Sequence, residues 1–314
     1  MGESAHRTAR PELLHYRPWR GTFRGPLAGV WPVARVALGM MFRRKLFWAL
    51  YGLGLLYFLL FFFSQYLFAY IGAQAGDPGT AGRPSPGIVN FLRGWLKLDG
   101  SGETYRTYFS YQGPMVMIIL ALAGSILIGN DLRFGSLPFY LSKPPSRWHY
   151  LLGKGLAVAV FINLMTTLPA LALWVEYALL DDTGEAWHGR LHLVAGILGY
   201  GAVLTVSLSL LLLATAIWLR RTVPLIMVWT TLFVFANRLS SALVDWLSFH
   251  PRWRLIDLWH DTYLVGNACL ALAPLDLSRQ PRWQEAALAL AGTSLLCLAY
   301  VLLNKDIRNP LGAR

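Results

Sequence analysis

With 314 residues, 55% of them hydrophobic and only 14% charged, the chain is too apolar to fold as a soluble domain of this size. Its 28 Lys and Arg against 16 Asp and Glu leave a net charge of +12, which attraction to anionic inner-leaflet lipid accounts for without nucleic acid as a partner. Two cysteines, Cys269 and Cys297, form neither a disulfide framework nor a thiolate metal site.

Residues 1–25 carry Arg and Pro without apolar periodicity and read as a cytosolic tail. From Pro32 the apolar residues Val33, Val36, Ala37, Met40 and Met41 recur at helical spacing while Arg35, Gly39 and Arg43 share another face. That pattern predicts an amphipathic interfacial helix over 26–45, turning at Arg43-Arg44-Lys45 into the first span. The bland alternative is a first span that begins early.

Charge-free runs follow: Leu46–Gly76, Thr107–Asn130, Gly155–Val175, Leu191–Leu219, Thr222–Asn237 and Ala286–Asn304. A bilayer core of ~30 Å needs about 20 apolar residues per helix. The runs therefore predict an all-α integral membrane protein with six transmembrane helices at about 46–72, 110–130, 151–175, 191–219, 222–244 and 285–304. The fifth reaches that length if Arg238 snorkels to the interface. The first run starts late and is too long for a signal peptide, so it is expected to stay as an anchor. An external segment, 245–284, precedes the last span, and 305–314 form a cytosolic C-terminus.

With both termini in the cytosol, 18 of the 28 basic residues but only 4 of the 16 acidic ones fall on the cytosolic side. The external segment, rich in Trp and charge yet holding the apolar run Tyr263–Leu275, reads as a folded cap with interfacial tryptophans or as helices dipping into the membrane. His188 and His192 are four residues apart but have no clustered carboxylate or thiolate, so no metal site is expected. Ser64, Gln65, Asn163, Thr167 and Thr230 are polar positions within spans; they line a substrate path or bond one helix to another.

The stretch between spans two and three, "GNDLRFGSLPFYLSKPPSRWHYLLGKG", is built differently. Gly135 and Pro138 interrupt a continuation of span two. A short helix over Leu137–Leu141 presents Phe139 and Tyr140, Lys143-Pro144-Pro145 ends it, and Ser146 caps the next helix. From the residues alone this is either a membrane turn with basic anchors or a docking element.

The same residues carry a resemblance. Asp131 soon after span two, Gly135-Ser136-Leu137, Leu141-Ser142 with Pro144 and Ser146-Arg147, then Leu152-Gly153-Lys154, together resemble the ABC-2 type transporter permease family over about 25 residues. The resemblance implies a cytosolic coupling helix that docks in a groove of a separate ABC ATPase. It assigns that partner surface to Asp131, Arg133, Phe134, Gly135, Leu137, Phe139, Tyr140, Lys143 and Arg147. It further implies two ATPase copies per complex, a second identical or similar permease chain, export as the direction, and the bacterial inner membrane as the location. ATP and Mg would sit on the ATPase, with no cofactor and no enzymatic activity on this chain.

The residues agree with that division of labour: the one Gly-Lys pair, Gly153-Lys154, is followed by Gly155 and preceded six positions before the lysine by Trp148, so the phosphate cradle Gly-x-x-x-x-Gly-Lys-Ser/Thr is missing. A reading of another class is an intramembrane enzyme such as a prenyl- or lipid-transferase, which needs paired acids for magnesium pyrophosphate. Asn130-Asp131 begins such a motif, but Arg133 stands where further acids should follow. A third reading keeps the ABC-2 architecture and puts it to work in cofactor assembly or signalling.

Overall fold

The computed structural model describes residues 26–74, 87, 94, 97, 100–129, 131, 147–180, 189–272 and 279–304, and no strand occurs among them. The expectations for 1–25, 132–146 and 305–314 lie outside the described residues. Among the described residues six helices are long and apolar enough to cross a membrane: span one (Lys45–Ile71), two (Gly102–Gly129), three (Arg147–Leu180), four (Leu191–Leu219), five (Thr222–Trp246) and six (Trp283–Leu303). The chain is a multi-pass membrane protein by that count.

Each span falls where a charge-poor run predicts it, and spans two and three are longer than expected. Span two begins at Gly102 because its first turns neutralise their own charges: Glu103 Oε2 lies 2.8 Å from Arg106, one helical turn on, and 2.8 Å from Lys97. Span three continues to Leu180 past Glu176, which is buried against Gln65 of span one.

Spans two, three and four form the centre of the bundle. In span two 71% of the apolar window is buried, against 17% in spans one and six. The outer spans turn large apolar side chains outward, among them Leu56 and Phe63 of span one and Leu288 and Leu296 of span six. A water-soluble surface does not carry so continuous an apolar belt.

The helix of span three is interrupted by a turn at Thr166, ahead of Pro169. Proline has no N–H to give to the carbonyl four residues back. That carbonyl, Met165 O, accepts instead from the Tyr108 hydroxyl of span two at 3.2 Å. Tyr108 Oη in turn accepts from Gln112 Nε2 at 3.0 Å, and the same amide nitrogen reaches Gly54 O of span one at 2.8 Å. One proline thus ties three spans together through bonds that lipid cannot supply.

A helix does lead into span one, over Val30–Phe42, and it packs on span three. Its buried face is Ala34, Ala37, Leu38 and Met41, whereas Val36 is 57% exposed. The expected apolar stripe is therefore rotated. The helix approaches span three closely at Gly153, where a Cβ would come within 2.6 Å of Val33.

Within 245–284, a 3₁₀ turn (Pro251–Ile256) delivers an outer helix (Leu258–Cys269) that packs against spans two, four and six. Trp259 fills the space over Gly113 of span two; a Cβ there would lie 1.8 Å from the indole. Gly113 is eleven residues along from Gly102, about 16 Å at the helical rise of 1.5 Å per residue. The helix is inserted in the bundle and does not sit on top of it.

Candidate functional site

At the end of the bundle that carries Arg43, Arg44, Lys45, Arg220 and Arg221, span two finishes in a π-helical turn, Ser125–Gly129. Such wide turns leave carbonyls out of α-helical phase and occur often at functional sites. Here Leu127 O accepts a hydrogen bond from the Lys154 ammonium of span three. Lys154 Nζ also lies 2.8 Å from Asp131 Oδ2, just past the end of span two. Tyr150, one turn before Lys154 on the same face of span three, donates its hydroxyl to the same carboxylate oxygen at 2.9 Å. Its ring centroid stands 5.5 Å from the ammonium.

Lys154 is 2% exposed and Asp131 9%. Removing two charges from water is expensive, and the attraction repays it only when geometry is close and the remaining bonds are made. Three partners for one ammonium and two donors on one carboxylate oxygen meet that condition. Two close approaches hold the clamp in place: the leading helix lies on Gly153, and Gly129 lies against the Arg220 backbone in the turn between spans four and five, where a Cβ would come within 3.0 Å of Arg220 O.

Asp131 and Lys154 are also the first and last residues of the segment that the sequence singles out. The clamp thus joins the end of span two to the early turns of span three. Arg147 opens span three, exposed, 5.9 Å from the Trp148 ring. Arg133, Phe134, Gly135, Leu137, Phe139, Tyr140 and Lys143 lie outside the described residues. Sequence reasoning marked Asp131 and Lys154 as the limits of a loop but not as each other's partner, and it missed Tyr150. The available signal was physical: an ionisable residue that is buried among apolar spans takes a partner of opposite charge, and Asp131 and Lys154 are of opposite sign.

The polar span residues separate into two groups. Asn163 Nδ2 donates to Ala159 O at 2.8 Å and to Thr205 Oγ1 of span four at 2.9 Å, a bond from helix to helix. Thr167 is buried against Gly201 of span four. Ser64 and Gln65 are buried on the inner face of span one. Gln65, with its amide oriented by its neighbours, donates to Glu176 Oε2 at 3.2 Å and to Leu173 O at 3.1 Å. Thr230 alone of the five faces open space.

That space is a groove of about 540 Å³ between spans two and five, lined by Pro114, Met117, Phe233, Asn237 and Arg238 with Trp259 at its end. A second groove, about 490 Å³, lies at the basic end between the starts of spans one and five and the last turns of span two, with Arg44, Lys45 and Thr222 beside Phe47 and Ile126. Both volumes are in the range of small-molecule sites, ~300–1,000 Å³. Among the described residues no group of three His, Cys, Asp or Glu is placed to hold a metal ion. No protein-family model matches the chain, and no curated protein matches it.

Proposed function

We propose that the chain is the membrane-spanning permease subunit of an ABC-2 type transporter, and that a separate ATPase subunit drives it through the segment between spans two and three. Two chains and two ATPase subunits make the working assembly, in the bacterial inner membrane, with both termini in the cytosol and the substrate moving outward. The observation that carries this reading is the buried Asp131–Lys154–Tyr150 clamp, whose two charged residues are the limits, in sequence, of the segment that resembles the family's coupling loop.

Closure of the ATPase on two nucleotides must enter the membrane as a displacement. Phe139 and Tyr140, seated in a groove of the ATPase, take up that displacement, and the clamp passes it to spans two and three together. The leading helix, resting on span three along the inner surface, moves with them. The grooves along spans two and five supply an apolar route with few polar groups and a face for a second chain. ATP and Mg belong to the ATPase, since this chain lacks the phosphate cradle.

The test is Phe139→Ala with Tyr140→Ala. Buried aromatic anchors at an interface carry ~2 kcal/mol or more each, and rim charges much less. The double variant should insert and fold normally yet lose co-purification with the ATPase, while the unsubstituted chain alone binds no ATP. A double variant that keeps its ATPase and full transport would overturn the reading, and so would stoichiometric ATP binding by the isolated chain.

A further inference from the structure

The outer helix brings two carboxyls inside the bundle. Asp257 caps its N-terminus: Oδ1 accepts the Trp259 N–H at 3.0 Å, and Oδ2 accepts the Asn237 amide of span five at 2.6 Å. Asp261, one turn on, has its backbone N–H on Asp257 O at 3.0 Å. Residues four apart on a helix stand one above the other, so the two carboxyls share a face. Both residues are 0% exposed, and among the described residues neither oxygen of Asp261 has a hydrogen-bond partner. Asn267 of the same helix is buried with both side-chain polar atoms unpartnered.

Among the described residues, the surroundings give Asp261 no cation. Among the described residues, the charge whose field bears on it is Asp257. Arg254, on the preceding 3₁₀ turn, faces Asp257 and His260 but spends its guanidinium on Asp245, at 2.7 and 2.8 Å. From span two, Arg106 stands 5.9 Å from the Tyr263 ring, bound to Glu103. Span five offers the neutral Asn237, span four the Tyr200 ring against Gly266, and span six Glu285, paired with Arg252, and Cys297. A buried carboxylate without a cation or donor is not stable as an anion.

We propose that Asp257 and Asp261 form a proton-binding site in which Asp261 carries the proton, and that this proton keeps the outer helix seated against spans two, four and six. When the proton leaves to water, the pair becomes two adjacent anions in an apolar cleft and the helix loosens. This holds whether or not an ATPase drives the chain.

Burial, with the Asp257 charge adding to it, pushes the Asp261 carboxyl up to about 8, and burial raises Asp257 as well. Because the folded value stands above the ordinary 3.8, the native state holds a proton that the unfolded chain releases. The stability it contributes is full below the ordinary value and is lost as pH rises to about 8. His260 works in reverse: burial, with Arg254 behind it, holds the imidazole down at about 4 instead of 6.5, so its contribution is lost as pH falls through that interval. The two slopes oppose each other on the acid side, which leaves a net fall in stability between about pH 6.5 and about pH 8.

The experiment follows thermal unfolding of the chain in lipid nanodiscs from about pH 6.5 to about pH 9. The unsubstituted chain should lose midpoint temperature across the interval. Asp261→Asn, which keeps the shape and cannot ionise, should not. In a Cys297→Ala background, alkylation of Cys269 by N-ethylmaleimide reports on the outer helix directly. The rate with Asp261 intact is divided by the rate in Asp261→Asn at the same pH, so that thiolate fraction cancels. That ratio should be near one at about pH 6.5 and several-fold higher at about pH 9. Hydrogen exchange of Leu258–Cys269 in the unsubstituted chain, normalised to span six, gives a readout that needs no Asp261 variant: protection should drop above about pH 8. A flat midpoint in the unsubstituted chain, a fall that persists in Asp261→Asn, or unchanged alkylation ratio and protection would each overturn the proposal.

Discussion

Lys154 and Asp131 meet across the ends of spans two and three, Nζ to Oδ2 at 2.8 Å, with the lysine 2% exposed. They are 23 residues apart in sequence and bracket the loop to which we assign the docking of an ATPase. Removing either partner leaves the other charge buried and uncompensated, which costs ~3–5 kcal/mol, whereas removing both is often close to neutral. Asp131→Asn and Lys154→Met should each lower the thermal midpoint strongly, and the double variant should recover most of the loss. Additive losses would show that the two side chains do not act as a pair. In the double variant, recovered stability without transport would separate the clamp's mechanical role from its role in folding.

The seat of the outer helix is tested at Gly113. The Trp259 indole occupies the space any larger residue needs, and overpacking of this kind costs ~1–3 kcal/mol. Gly113→Ala should destabilise the chain by about that much, and Trp259→Ala by ~3–5 kcal/mol through the cavity it leaves. Because the smaller residue at 259 makes room for the larger one at 113, the double variant should cost less than the sum. Strict additivity in thermal unfolding would place the indole elsewhere.

His260 gives a separate pH signature. Held at about 4 by burial and then by Arg254, it masks the Asp261 slope on the acid side. His260→Gln removes the mask. The midpoint should then fall continuously from about pH 4.5 to about pH 8, at a slope equivalent to about 1.4 kcal/mol per pH unit for one proton. A curve for His260→Gln that superimposes on the unsubstituted chain below about pH 6.5 would remove His260 from the account.

The proposed orientation rests on the asymmetry of the basic residues. Single cysteines introduced at Arg220 and Arg221 should react only with reagents that enter the cytosol, and cysteines at Asp181 and Asp182 only with reagents applied outside. The reverse pattern, or labelling of a C-terminal cysteine from outside, contradicts the proposed topology.

The spans were legible because an apolar helix advertises itself over about 20 residues, far longer than any competing pattern. Their ends were less so: Glu103 and Arg106 look like loop residues until they are seen to neutralise one another inside span two. The outer helix was hidden for the opposite reason. Asp257, Asp261 and Asn267 suggest a wet surface, yet all three are buried, and only packing on Gly113 and Gly196 reveals it. The leading helix misled through its register, since it turns Ala34, Ala37, Leu38 and Met41 inward and leaves Val36 exposed. The clamp was half visible. Its charges stood out in the sequence, but their pairing depends on a π turn and a tyrosine that no spacing rule announces.

The central claim is that force enters this chain through the loop between Asp131 and Lys154, from a protein that hydrolyses ATP. A photo-crosslinking amino acid placed at Phe139, activated in cells and analysed by mass spectrometry, tests it most directly. The account predicts a dominant crosslink to an ABC ATPase, enriched when ATP turnover is trapped. Crosslinks confined to lipid, with no ATPase attached, would contradict it.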